Sequence, residues 1–225
     1  MQKHRGSEKA SASLAATPLE ISRRNQRQRI IDAMIDSCAE KTYLATTITD
    51  IVAGARISRT TFYKQFEDKR ACFDATIEHC IEQLQEVAAA AHSPEESAGD
   101  ATRKAVAAVL QALAARPGLA QILTGDAISV DPMAIERYRK AMIPSLTALW
   151  KRSGQHVESH TDPRLAFGQA QVLILNQVAA GKADRLPDLL PEIVYLAVNP
   201  FGGHEEALNQ SRLAKESATG SAVLQ

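Results

Sequence analysis

What this sequence lacks narrows it first. No apolar run approaches the roughly 20 residues that cross a bilayer. The opening MQKHRGSEKASASLAA has no apolar centre of the kind a secretory signal carries. Both absences point to a cytoplasmic setting and no membrane partner. Cysteine is scarce: Cys38, Cys72 and Cys80 are odd in number, form no C-x-x-C pair, and fall among apolar positions of helical patterns. They are expected as buried free thiols.

The chain also has no Walker loop, no G-x-S-x-G elbow and no H-E-x-x-H, which leaves an enzyme without a motif to rest on. No catalytic residue, metal or cofactor is expected. His156 and His160 stand four apart beside Glu158 and Asp162. That is a metal-ligand spacing on a helix, but SGQHVESHTDP reads better as a polar loop. Strand-like alternation and internal repeats are missing too, so the fold class is all-α.

Net charge is absent, with acids and bases balanced at 26 each, and the balance hides an asymmetry. Residues 1–70 hold 13 Lys/Arg against 8 Asp/Glu, and residues 71–225 hold 13 against 18. A basic end on an acidic remainder suggests one module that faces a polyanion. The even total gives little support to sequence-indifferent DNA packaging, because nonspecific affinity grows with the phosphates neutralised.

What is present is a succession of apolar stripes at helical spacing. Residues 1–22 have none and are expected to form a flexible basic arm. Ile30, Ile31, Met34, Ile35 and Cys38 stripe a helix from about Arg23 to Glu40. Thr47 with Asp50 matches a capping box opening a short helix that stops near Arg56. Ser58 is a good N-cap, and Ile57 and Phe62 flank it at the spacing of a hydrophobic staple, so a third helix spans Arg59 to about Phe66. Asp68 can cap a fourth, striped by Phe73, Ile77, Cys80, Ile81, Leu84 and Ala88.

Two short helices joined through ARIS behind a supporting helix form a helix-turn-helix, whose second short helix enters a DNA major groove. With Phe62 and Phe66 turned inward, Thr60 and Lys64 come out nearly opposite, flanked by Thr61, Tyr63 and Gln65. Hydroxyl, ammonium and amide groups suit base edges and phosphate oxygens. The candidate DNA-binding residues are Thr47, Ser58, Arg59, Thr60, Thr61, Tyr63, Lys64, Gln65 and Lys69. Thr47 and Lys69 are included because helix starts offer N–H donors and partial positive charge to phosphates.

Further stripes follow: Val106, Val109, Leu110 and Leu113; Leu119, Ile122 and Leu123; and Ile135, Tyr138, Met142, Leu146 and Leu149, where Pro144 should kink the helix. From about Asp162 to Gly181, apolar residues occupy nearly every side, as in a helix buried on several faces. Leu186 to Ala197 forms a last amphipathic helix closed by NPFGG. These two helices are the candidate surface of a twofold homodimer, which a reader of near-palindromic half-sites needs. Met133, Tyr138, Met142, Trp150, Phe167 and Gln171 offer adaptable apolar surface with polar anchors for a small molecule, although core packing would use most of them equally well. The tail is polar, and its final SAVLQ resembles the recognition sequence of a viral main protease, a scar of expression.

The stretch TTITDIVAGARISRTTFYKQFEDKRACF resembles the DNA-binding signature of tetracycline-repressor-type (TetR) regulators, over about residues 27–75. The resemblance implies homodimeric helical subunits, each with a three-helix DNA reader and a larger ligand-binding domain whose last two helices form a four-helix dimer interface. One departure stands out: the family usually has Gly where this chain has Arg56, a substitution that strains a backbone requiring positive φ.

The expected organisation is therefore an arm over 1–22, a helix-turn-helix domain over 23–70, a ligand-binding and dimerisation domain over 71–200, and a polar tail over 201–225. The expected function is a transcriptional repressor released from a palindromic operator by a small molecule. The alternative is a small-molecule-binding helical protein or an enzyme without specific operator binding.

Overall fold

The computed structural model describes residues 18–131, 133–155 and 161–222, and all regular structure among these is helical. Residues 1–17 of the expected arm, His156, Glu158 and His160, and residues 223–225 of the expected scar lie outside them.

Helix α1 (Pro18–Ala45) begins at Pro18 rather than Arg23, so residues 18–22 belong to a helix and not to an arm. Proline suits a first helical position, where its missing N–H would have found no partner. The stripe Ile30, Ile31, Met34, Ile35 and Cys38 is buried. α1 breaks helical geometry at Thr42 (φ 69°), whose carbonyl accepts both the amide and the hydroxyl of Thr46. Then come α2 (Ile48–Ala55), α3 (Arg59–Gln65) and α4 (Lys69–Ala90), in which Phe73, Ile77, Cys80, Ile81 and Leu84 are buried.

α5 (Ala98–Ala115) leads into α6 (Pro117–Gln121), a wide π-turn over Ile122–Asp126 and α7 (Ala127–Val130). α6 crosses α1 closely at Gly118, where a Cβ would sit 2.6 Å from the carbonyl oxygen of Ile35. Only glycine permits that approach. α8 (Ala134–Arg152) is a single helix through Pro144, with no residue leaving helical dihedrals. α9 (Pro163–Ala179) and a 3₁₀ turn (Ala183–Leu189) precede α10 (Leu190–Ala222).

Two expectations for the C-terminal part are corrected. NPFGG does not close the last helix. Gly203 (φ 78°) only redirects it, and α10 continues to Ala222, burying Phe201, Ala207, Gln210 and Ala214. The residues expected as a polar tail thus pack against α5, where Gln210 donates to Glu206 (2.9 Å) and accepts from Arg103 (3.0 Å). Second, α9 is not buried on several faces. Only Ala166 and Gln171 are buried, while Leu165 (61% exposed) and Val172 (54%) face outward. Part of its apolar surface therefore faces outward.

One buried apolar cluster runs from α1 to α4 into α5, α6, α7 and the 3₁₀ turn. A second gathers Ala98, Trp150, Val194, Val198, Phe201, Ala207 and Ala214. All three cysteines are free and buried in the first cluster. Burial pushes each thiol from 9.0 up to about 12, with the Asp126 carboxylate adding to the effect at Cys38. A thiol that ionises later folded than unfolded contributes stability in full below its ordinary pKa, and that contribution is lost as pH rises from 9.0 towards about 12. We predict no thiol labelling of the native protein by a disulfide reagent near about pH 8 and complete labelling in urea. Rapid native labelling would contradict this packing.

Candidate nucleic-acid interface and internal cavity

The N-terminal surface is assembled from helix ends. At the start of α2 the capping box is complete: Asp50 N donates to Thr47 Oγ1 (3.3 Å), and Thr47 N donates to Asp50 Oδ2 (2.9 Å). Lys41 pairs with the same carboxyl at 2.7 Å and, with the Thr47 donors, holds the Asp50 pKa down to about 2. α2 ends in a Schellman turn, in which Ile57 N donates to Val52 O and Arg56 N to Ala53 O, both at 3.1 Å. The left-handed position of that turn is Arg56 (φ 52°, ψ 52°). The departure from the family's glycine therefore falls on a residue whose backbone favours glycine. Arg29 of α1 secures the turn by donating to the carbonyls of Ala55 and Arg56.

Ile57, half-buried, packs on the core beside the turn, and Ser58 caps α3 by accepting from Thr61 N at 3.1 Å. Phe62 and Phe66 are buried, their ring centroids 5.9 Å apart, and the Arg27 guanidinium lies 4.3 Å over the Phe66 ring. With that face held inside, Ser58, Arg59, Thr60, Tyr63 and Lys64 are exposed, and Thr47 is exposed at the start of α2. Thr61 and Gln65 are half-buried. The Thr61 hydroxyl meets Ser58 Oγ at 2.9 Å, and Gln65 Nε2 donates to Arg23 O at 3.4 Å.

Lys69 departs from the sequence expectation. Its ammonium donates to Tyr43 O (3.0 Å) and Thr46 O (2.8 Å) and lies 4.2 Å over the Tyr43 ring. Those acceptors are the carbonyls left open where α1 breaks, so Lys69 joins α4 to α1 and its charge is turned inward. Arg29 braces the turn and Arg27 donates to Gln65 O (3.4 Å) at the end of α3, while Arg23 and Arg24 stand exposed beside these two equally exposed arginines.

The C-terminal half holds a cavity of about 420 Å³ between α4, α5, α8, α9 and α10. Of the residues expected at a ligand site, Tyr138, Met142, Phe167 and Gln171 line it. Met133 and Trp150 do not. Met133 is 61% exposed at the start of α8. Trp150 is 1% exposed in the second cluster, stacked on Phe201 and donating Nε1–H to Thr102 Oγ1 at 3.1 Å. The sequence reading missed Gln85, His92, Val109, Leu110, Arg152 and Ile193 in the wall. Val109 and Leu110 already belonged to a recognised stripe, but periodicity does not separate residues that touch a cavity from residues that touch one another.

Residues 30–76 match the family model described as bacterial regulatory proteins, tetR family. Residues 30–76 are a DNA-binding domain of the tetR family. A chain that carries this domain is a DNA-binding transcriptional regulator, and regulators of this family are non-enzymatic. No curated protein matches the chain in a sequence comparison. Among solved structures it is similar to the fatty acid degradation regulator FadR of Bacillus halodurans, with a TM-score of 0.67, 19% identity, and coverage of 81% of this chain and 96% of that one. FadR of Bacillus subtilis, in complex with stearoyl-CoA, gives a TM-score of 0.61 and 17% identity over 77% of this chain and 98% of that one. The TetR-like regulator LfrR of Mycobacterium smegmatis, in complex with proflavine, gives 0.57 and 19% over 80% and 97%. At these identities the likeness shows a shared fold. Among the described residues, no single helix is long and apolar enough to cross a membrane.

Arg56 yields a direct test. A non-glycine residue in the left-handed region costs about 1–2 kcal/mol, against about 0.5–1 kcal/mol of extra chain entropy that a glycine loses on folding. Arg56→Gly is expected to raise the melting temperature by roughly 1–3 °C, read by thermal unfolding monitored by circular dichroism. An unchanged or lower value would mean that the turn relieves its strain elsewhere.

Proposed function

We propose that this regulator is a homodimeric repressor that holds a palindromic operator and releases it when a small molecule fills the cavity between α4, α5, α8, α9 and α10. The observation that carries the DNA part is the division of α3 into a buried phenylalanine face and an exposed face of Thr60, Tyr63 and Lys64. In this reading Thr60, Tyr63 and Lys64 meet base edges and phosphates in the groove. Thr47, Ser58 and Arg59 lie against the backbone at helix starts, and Thr61 and Gln65 adjust at the margin. The operator-facing unit is residues 23–70, and residues 71–200 bind the effector and the second subunit.

The dimer is supported by α9, whose exposed Leu165 and Val172 present apolar surface that one subunit leaves uncovered. A twofold pairing of α9 and α10 would bury it and space two readers for half-sites about one helical turn apart.

Coupling between cavity and reader is supported by a ring of charges. Arg137 on α8 lies 3.0 Å from Asp131 and 3.6 Å from Asp74 on α4; Arg70, at the start of α4, lies 2.9 Å from Asp74 and 3.6 Å from Asp131. α8 also supplies Tyr138 and Met142 to the cavity wall, and only three residues separate the end of α3 from the start of α4. Partly exposed ion pairs add little stability, so the ring serves as a tether that passes a shift of α8 to the reader. A typical coupling of about 1–3 kcal/mol lowers operator affinity about 5- to 150-fold.

Selection of bound sequences from random duplex DNA tests this function. The expected enrichment is a sequence with twofold symmetry. On that duplex, Tyr63→Phe with Lys64→Ala is expected to weaken binding at least about 100-fold and to reduce the slope of log affinity against log salt by about 1. Retained binding, or enrichment of no symmetric sequence, would overturn the assignment.

A further inference from the structure

Gln171 is 7% exposed, lines the cavity, and buries an amide nitrogen that meets no hydrogen-bond partner. A buried donor left unmade is costly. The surrounding wall is apolar, formed by residues such as Val109, Leu110, Met142 and Ile174. Phe167 precedes Gln171 by one helical turn on α9, and Tyr138 of α8 packs edge-on against it, ring centroids 5.0 Å apart. Tyr138 also lines the cavity, so the neutral polar groups stand beside an aromatic pair within an apolar wall. Among the described lining residues there is no aspartate or glutamate, and the only fixed charge is the Arg152 guanidinium. A cation entering this space would lose its hydration without gaining a counter-charge.

We infer that the cavity takes a mainly apolar ligand without positive charge, carrying a carbonyl-type acceptor that pairs with the Gln171 amide nitrogen. The inference rests on the reading of the cavity as an effector site and narrows its chemical class. Ketones, esters, amides and lactones with alkyl bodies meet the requirement; lipophilic ammonium compounds do not.

Titration of full-length protein with 2-nonanone, nonane and octylammonium tests the class. Wild type is expected to bind the ketone at least about tenfold more tightly than octylammonium. Gln171→Leu, close in volume, is expected to weaken 2-nonanone about tenfold while leaving nonane as tight or tighter. The ligand-free Gln171→Leu protein should also melt no lower than wild type, because a buried donor without a partner has been removed.

Equal effects of the substitution on ketone and alkane would overturn the inference, since the amide nitrogen would then be satisfied by water. Tighter octylammonium than ketone, or binding of none of the three, would also overturn it. The operator assay separates the two claims. Ketone binding as expected without any change in DNA affinity would remove the effector reading and leave the ligand class standing. Release of DNA by a cavity occupant that does not depend on Gln171 would do the reverse.

Discussion

Burial of Phe62 and Phe66 is the contact on which the DNA reader depends. α3 has seven residues, far too few to hold a helix in water by its own hydrogen bonds. Its conformation is imposed from outside: a Ser58 cap at one end, a Schellman turn that delivers the chain at a set angle, and two aromatic rings anchored in the core. Arg27 and Arg29 clamp the same unit from α1. Fixing one side of so short a helix also fixes the other, so the outward direction of Thr60 and Lys64 follows from the packing of the rings.

The same constraint links the reader to the rest of the molecule. Phe62 and Phe66 belong to one buried cluster with α4, α5 and α6, and α6 meets α1 at a place that admits only glycine. Lys69 adds a polar link, its ammonium filling the carbonyls left open where α1 breaks at Thr42. Tightly packed interiors transmit displacement, and the charge ring between α4 and α8 reaches from this unit towards the cavity wall. Cavity and reader therefore share α4 and its supports.

Much of this was legible in the chain because short-range chemistry decides it. Thr47, Ser58 and Asp68 cap the helices their side chains suggest, and the stripe from Ile30 to Cys38 is the buried face of α1. What the chain does not show is decided by partners far away in sequence. Lys69 looked like a phosphate ligand because nothing local shows the carbonyls of Tyr43 and Thr46 above it. Trp150 looked like pocket surface, yet Thr102 and Phe201 enclose it. The length of α10 is not visible in the chain because Ala207 and Ala214 bury small side chains that leave a weak hydrophobic signal, and because Gly203 bends a helix as readily as it ends one. The uniformly apolar α9 reads as buried all round, but part of it lies on the surface.

The central claim is the orientation of α3, and photo-crosslinking tests it most directly. A photoreactive amino acid placed at position 60 or 64, and for comparison at position 172 on α9, would be irradiated with the selected duplex bound. The account predicts crosslinks to bases from positions 60 and 64 and none from 172. Crosslinks from 172 alone, or none from α3, would contradict it.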